Sequence, residues 1–261
     1  MSRLFNRYYE LHIANKVLTI DDFDIFFRVK GKANEAATAE ITIFNLSEAT
    51  RQEIKAGSPL VLIAGYRDDY GVVFQGTVKR AEMTIEGADV ATEIIAVDNL
   101  ADLKKKIKIT VPEGTDFADI AKRVFQQAGI AIGKIDSTNY SIKRPLTFSD
   151  AGLLVLSQLA EETGYTYFVQ DGKAYFVKKD NIIEQIILNS ETGLLEVTRV
   201  EDENEEQQEK YKVKSLLIWK GKLDTRIKLE SIKISGRFKV VAYEHACMQD
   251  EYYSEFEVVP V

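Results

Sequence analysis

The 261-residue sequence is 45% hydrophobic and 29% charged, with four prolines and a formal net charge of −7. That composition excludes a disordered tail or a coiled-coil rod, and the acidic surplus argues against a dedicated nucleic-acid binder. No run of about 18 apolar residues occurs, so no membrane insertion is expected. The single cysteine, Cys247, excludes an internal disulfide framework and fits a reducing compartment. The opening "MSRLFNRYYELHI" lacks a signal-peptide apolar region, so the chain is expected to stay in the cytosol where it is made. Charge is uneven: residues 1–103 carry a net −5, 104–180 a net +3 and 181–261 a net −5. The sign changes place domain boundaries near "DLKKKIK" and "KKDN".

The first segment reads as strands. "YELHIANKVLTI" and "FDIFFRVKG" are rich in β-branched and aromatic residues, and "AEITIFNL" alternates as a strand with one wet face does. A helix stub follows, with Ser47 as cap, Glu48 in the first turn, Lys55 in the last and Gly57 as terminator. "PLVLIAGYRDDYGVVFQGTVKRAEMTIEG" gives a strand, a turn and a long second strand, and "ADVATEIIAVDNLADLKKK" adds another that runs into a turn. Roughly six strands and one short helix suggest a barrel or sandwich.

The middle changes period. Phe117, Ile120, Ala121, Val124 and Phe125 fall on one helical face, with Thr115 or Asp116 as cap and Gly129 as stop. A second helix is expected with Ser149 as cap, Leu153, Leu156 and Ala160 on one face, and Gly164 as stop. A hairpin with Asp171-Gly172 at its tip completes an α+β unit over 104–180. The last segment returns to strands: "IIEQIILN", "LLEVTRVED", "YKVKSLLIWKG", "TRIKLES", "GRFKVVAYEHAC" and "YYSEFEVVP". Among them lies "EDENEEQQEK", which has nothing to bury and reads as an exposed loop.

Catalytic patterns are missing from the sequence. The two histidines, His12 and His245, form no zinc-binding or triad motif, and no phosphate-cradling glycine loop occurs. His245 and Cys247 share a strand face and form a conceivable reactive pair, but a lone strand cysteine is usually a small buried hydrophobe. Glu161-Glu162 and Asp68-Asp69 are placed as solvated carboxylates rather than as acid–base pairs in a pocket. "RDDYG" and "EDENEE" lack the ligand spacing of a calcium loop. The expectation is a non-enzyme without metal or cofactor.

A resemblance supplies what the motifs do not. "AEITIFNLSEATRQEIKAGSPLVLIAGYRDDYGVVFQGTV" resembles a pattern of phage tail proteins. In that pattern a strand ending I-x-N-L meets a short helix, then a G-x-x-(V/L)-x-(V/L)-x-A-G-Y strand, then (I/V)-F-x-G-x-(I/V). Here the barrel-wall positions are Ile43, Asn45, Leu46, Gly57, Leu60, Leu62, Ala64, Gly65, Tyr66, Val73, Phe74, Gly76 and Val78. The last segment resembles the same proteins through Gly236, Phe238, Val240, His245, Tyr252 and Tyr253. The middle is similar to the insert they carry. The chain thus resembles, over nearly its whole length, the baseplate hub proteins of phage tails and phage-derived contractile particles.

The resemblance implies a mainly β fold, with tail-tube-like barrels over 1–103 and 181–261 flanking the 104–180 insert. It implies a homotrimer whose six barrels form a pseudo-sixfold ring, joining the sixfold tail tube to the threefold central spike and lining the channel. Partners would be the chain itself, the tail tube protein, a separate central spike protein, other baseplate proteins and a tape-measure protein, with DNA only in passage. The protein would be made in the host bacterial cytoplasm and sit in the virion tail. The helix stub would pack outside the barrel wall and close an open strand edge. Glu201, Asp202, Glu203, Glu205 and Glu206 are read as a solvated loop or as a lumen surface that repels passing DNA. Trp219, beside Lys220 and Lys222, is a rim residue or a partner contact. The trunk of a type VI secretion spike is similar; since this chain ends at "EFEVVPV", a separate spike is expected. The alternative is a cell-wall binding module: the insert resembles LysM-like domains, with Tyr140, Tyr165 and Tyr167 as its candidate glycan contacts.

Overall fold

The computed structural model describes residues 6–170, 172–178, 185–200 and 209–261. Among these it is mainly β, with 55% strand, 14% helix and three α-helices. The described residues form two compact units: those within 1–32, 38–96 and 182–261 make one, and those within 33–37 and 97–181 make the other.

The first segment forms β1 (Arg7–Ile13), β2 (Lys16–Thr19), β3 (Ile25–Lys32), β4 (Thr38–Phe44), helix α1 (Glu48–Glu53), β5 (Pro59–Tyr66), β6 (Asp69–Glu86) and β7 (Asp89–Val97). The run read as one strand-rich stretch, "YELHIANKVLTI", is a hairpin. Ala14 and Asn15 take φ of +50° and +59°, a turn that apolar patterning alone does not reveal. The strands alternate as expected: in β3, Ile25, Phe27 and Val29 are buried while Arg28 and Lys30 face out.

The insert holds a 3-10 turn (Asn99–Lys104), β8 (Ile109–Val111), α2 (Phe117–Gln127), β9 (Ala131–Ile135), β10 (Leu146–Phe148), α3 (Gly152–Thr163), β11 (Tyr165–Gln170) and β12 (Lys173–Lys178). Its core is made by the helix faces the spacing indicated: Ile120, Val124 and Phe125 of α2 against Leu156 and Ala160 of α3, with Phe176 from the hairpin. Asp116 is the α2 cap, accepting from the Ala118 amide at 2.8 Å. Ser149 does not cap α3: the helix begins two residues later, after Ala151, with no side-chain cap, and the Ala151 amide donates to Asp150. Gly164 ends it in the left-handed region at φ +72°. The hairpin tip residue Asp171 lies outside the described residues.

The last segment forms β13 (Gln185–Leu188), β14 (Leu194–Val200), β15 (Lys210–Leu216), β16 (Arg226–Glu230), β17 (Ser235–Cys247) and β18 (Tyr252–Pro260). All β strands of this unit belong to one 13-stranded sheet, in the order β14-β15-β18-β17-β3-β4-β7-β6-β5-β1-β2, with β13-β16 attached to β17. The hinge of this topology is β17. Its first half pairs with β16, from Ser235↔Glu230 to Lys239↔Arg226, and its second half pairs with β3, from Ala242↔Lys32 to Cys247↔Phe27. Against β18, the register of β17 shifts between Val240 and Ala242, at the changeover. A bulge adds local twist, which lets one strand serve two neighbours in turn.

The stub α1 does not close an edge. Both strands it joins are interior, β4 lying between β3 and β7 and β5 between β6 and β1. It is the crossover that carries the chain past β7 and β6. The helix has no buried residue, stops at Ile54 before Lys55, and is capped by Ser47. Gly57 follows at φ +89°, its amide bonded to the Val78 carbonyl at 2.8 Å.

Candidate functional site at the seam of the sheet

The β3–β17 junction joins the two strand segments, and the side chains that tie them cluster around it. Tyr252, on β18, is the principal one. Its hydroxyl accepts the Gly65 amide proton at 2.8 Å and lies 2.8 Å from the Gly65 carbonyl and 2.7 Å from that of Tyr8. Its ring packs edge-on against Tyr66 at 5.6 Å and Phe27 at 6.4 Å, under the Arg7 guanidinium at 5.3 Å. A buried hydroxyl so surrounded locks the last strand to β1 and β5, because leaving those backbone groups unpaired would cost more than the bonds themselves contribute.

Gly65 is required there. Its φ is +150°, and an added Cβ would lie 2.4 Å from the Asp69 carbonyl and 2.6 Å from the Tyr70 Cα. Other barrel-wall positions have equally local reasons. Asn45 takes φ +58° and ties β4 to β7, donating to Asp89 at 2.9 Å and accepting from the Val90 amide at 3.1 Å. Leu46, Ala64, Tyr66, Phe74 and Gly76 are buried, Gly76 facing Leu60 across the β5–β6 ladder.

Trp219 is a second tie. Its indole N–H donates to Asp69 at 2.8 Å, and its ring lies flat on Gly71, where a Cβ would come within 2.4 Å. Lys220 is exposed, with its ammonium 5.2 Å from the indole and 4.0 Å from the Asp69 carboxylate. Lys222 is buried at 4% exposure. Of the three residues read as a partner contact, the structure thus brings Trp219 and Lys220 to the turn of the β5–β6 hairpin and places Lys222 inside. The acidic residues Glu201, Asp202, Glu203, Glu205 and Glu206 lie outside the described residues.

His245 and Cys247 sit at the seam, both buried. Ser254 Oγ accepts the Ile218 amide proton at 2.9 Å and lies 2.8 Å from His245 Nδ1. Ser254 thus links the imidazole to the Ile218 backbone. Burial, helped by the Lys222 charge, holds the imidazole pKa down at about 3, so the ring is neutral at physiological pH. Burial pushes the Cys247 thiol up to about 12, the opposite of an activated nucleophile. Their shared face is core packing.

On the opposite, solvent-facing side of the seam runs a polar lattice. Glu244 is bridged by Arg28 at 3.4 Å and Lys30 at 3.5 Å, and accepts from Tyr253 at 2.7 Å. Lys214 lies 4.1 Å from the Tyr253 ring and bridges Glu251 at 2.9 Å, while Lys212 bridges Glu255 at 3.4 Å. Cationic side chains on β3 and β15 thus flank acidic ones on β17 and β18, where Glu244 and Glu255 face each other across the ladder. No cluster of three or more His, Cys, Asp or Glu side chains fit to hold a metal occurs among the described residues.

In the insert, Tyr165 and Tyr167 belong to the core at 4% and 1% exposure, so two of the three aromatics considered for glycan contact are unavailable. Tyr140 alone is exposed, its ring tilted against Phe117. The insert contains a group the sequence did not single out. Asp98, 4% exposed, accepts from the Ala37 amide and the Leu100 amide, both at 2.9 Å, while its own amide donates to the Ala37 carbonyl at 3.0 Å. Burial outweighs those bonds and raises its carboxyl to about 7.

The model of the baseplate hub gp41 family matches residues 10–232. No curated protein matches the chain at a significant level. Among solved structures, the tail protein of Neisseria meningitidis MC58 aligns with a TM-score of 0.72 at 8% identity, covering 98% of this chain and 97% of that one. The 43 kDa tail protein of prophage MuSo2 from Shewanella oneidensis gives 0.71 at 12% identity, covering 97% of each. The E. coli c3393 protein, a type VI secretion component described as similar to the T4 tail proteins gp27 and gp5, gives 0.69 at 10%, covering 96% of this chain and 76% of that one. At these identities the structures share a fold with this chain.

Proposed function

The chain belongs to the baseplate hub gp41 family, a family of structural tail components, and from that premise we propose that it forms the trimeric ring between tail tube and central spike. In this reading the strands before and after the insert act as two tube-like barrels per copy. Three copies present six barrel surfaces to the sixfold tube and three identical faces to the spike. The barrels would be fused rather than separate, since β3 and β17 are hydrogen-bonded neighbours.

The observation that carries the reading is that fused sheet, locked by Tyr252 and Trp219. A ring element under load needs its two barrels fixed in mutual register, and six backbone-paired positions between β3 and β17 supply that. The pairing of the β3 and β15 cations with carboxylates suits a wall past which DNA moves without being held, because those cations are already neutralised and offer less to phosphate. Partners would be the tube protein, a separate spike protein and neighbouring baseplate proteins.

The test is mass in solution by light scattering over a concentration series, with negative-stain images of the same sample. A trimer with a central hole supports the reading. A compact monomer at every concentration, with no ring on addition of tube or spike protein, refutes it.

A further inference from the structure

Ile232 is 108% exposed, so its side chain touches nothing in its own chain. It does not sit on a loose loop. The β16–β17 turn that carries it is pinned by Ser231, whose amide and hydroxyl both donate to the Ile234 carbonyl, at 3.1 and 2.7 Å. The Ile234 amide in turn donates to Ser231 Oγ at 3.0 Å, and the Ser235 hydroxyl donates to the Ser231 carbonyl at 3.1 Å. The result is a rigid aliphatic knob beside an exposed lysine, Lys233.

The first segment carries a matching hole. A pocket of about 460 Å³ lies between α1 and the β6–β7 hairpin, lined by Ile54, Ala81, Met83 and Thr92 with Glu48 and Glu82 among its polar residues. Its apolar lip is open to solvent: Met83 is 55% exposed, and Ile85, two residues on and on the same strand face, is 69% exposed. Inside, the Thr92 hydroxyl is buried with no hydrogen-bond partner among the described residues. Arg51 also lines the pocket and Arg80 bridges Glu82 at 3.2 Å, which leaves Glu48 as the carboxylate opposite in sign to Lys233.

Knob and hole are borne on strands separated in the sheet by β3 and β4, and the knob is empty-handed in its own chain. Each therefore needs a second molecule. A surface that offers a knob on one segment and a complementary hole on another makes heterologous contacts, which close into a ring when the rotation closes. We propose that Ile232 of one copy enters the pocket beside α1 of the next copy, with Lys233 facing Glu48, and that this contact closes the hub ring. The proposal rests on the ring reading above and names its interface.

The full-length chain tests it in two ways. Ile232→Glu and Met83→Glu should each raise the concentration needed for assembly about tenfold or more, as loss of a buried anchor does, with unchanged circular dichroism. Lys233→Glu should shift it less. Separately, a chain carrying Ile232→Cys mixed with one carrying Met83→Cys should be joined by a short bis-maleimide, while either alone is not; native Cys247 is buried and silent. Assembly of Ile232→Glu at the wild-type concentration, with no cross-linked species, overturns the contact and leaves the ring reading standing. Loss of capture of a different baseplate protein by Ile232→Glu, with self-assembly intact, overturns it too. A wild type that never assembles removes both.

Discussion

The hydroxyl of Tyr252 lies 2.8 Å from both the amide nitrogen and the carbonyl oxygen of Gly65, 187 positions earlier in the chain. One side chain thus closes the last strand onto β5. Tyr252→Phe keeps the packing and removes only the oxygen. It should lower unfolding stability by about 1–3 kcal/mol, the cost of stranding buried polar groups, measured as a fall in the urea midpoint at constant slope.

Gly65→Ala should cost more. The new methyl would meet backbone atoms of the Asp69 turn, which have no rotamer to escape into. A loss on the order of 3 kcal/mol or more is expected, or insoluble protein on expression. A soluble variant with the wild-type midpoint would show that the turn is more pliable than its contacts indicate.

Trp219 is the only tryptophan, so its fluorescence reports its own environment. Gly71→Ala pushes a methyl into the face of the indole and should break the bond to Asp69. Emission should move to longer wavelength and acrylamide quenching should rise. Asp69→Asn, which keeps an acceptor, should leave both nearly unchanged.

Two buried groups give opposite pH dependences. The Asp98 carboxyl rises from 3.8 to about 7 on folding, so the folded state holds a proton the unfolded chain has released. Its stabilising effect is full below 3.8 and is lost as pH rises towards 7, on the order of 4 kcal/mol at full strength. His245 falls from 6.5 to about 3, so its neutral form is favoured on folding. Stability from it is full above 6.5 and is lost as pH falls towards 3. Hydrogen exchange should therefore show the insert gaining protection on acidification and the large sheet losing it. Asp98→Asn should flatten the first slope alone, and His245→Gln the second alone.

Cys247 should be inert. With the thiol buried and pushed up to about 12, reaction with a disulfide reagent at neutral pH should wait for unfolding. Rapid labelling of native protein would mean that the seam opens locally.

The sequence by itself determined the elements. Alternation in "TRIKLES" and "YYSEFEV", the helical spacing of Phe117 to Phe125 and the glycine stops marked the helices and the long strands, because those signals are local, whereas the short strands β8, β9 and β10 of the middle segment carry too few residues to show a period. It also carried the family resemblance, whose motif positions Asn45, Gly57 and Gly65 take positive φ. It left the Ala14-Asn15 turn hidden, because left-handed residues between two apolar runs break no hydrophobic pattern. Ser149 misled as a cap because the helix starts two residues further on, at Gly152, with no side-chain cap at all.

Only the tertiary structure decided which strands are neighbours. Pairing of β17 with β3 joins residues more than 200 positions apart, and no local preference encodes such a pairing; it follows from which faces can be buried together. The same holds for α1. Its cap and stop are written in the sequence, but its task, crossing β7 and β6 rather than closing an edge, depends on a strand order fixed by the packed sheet. Burial likewise turned Tyr165, Tyr167 and Lys222 inward and set the protonation of Asp98 and His245. A side chain's solvent exposure is a property of its neighbours, and those the chain acquires only on folding.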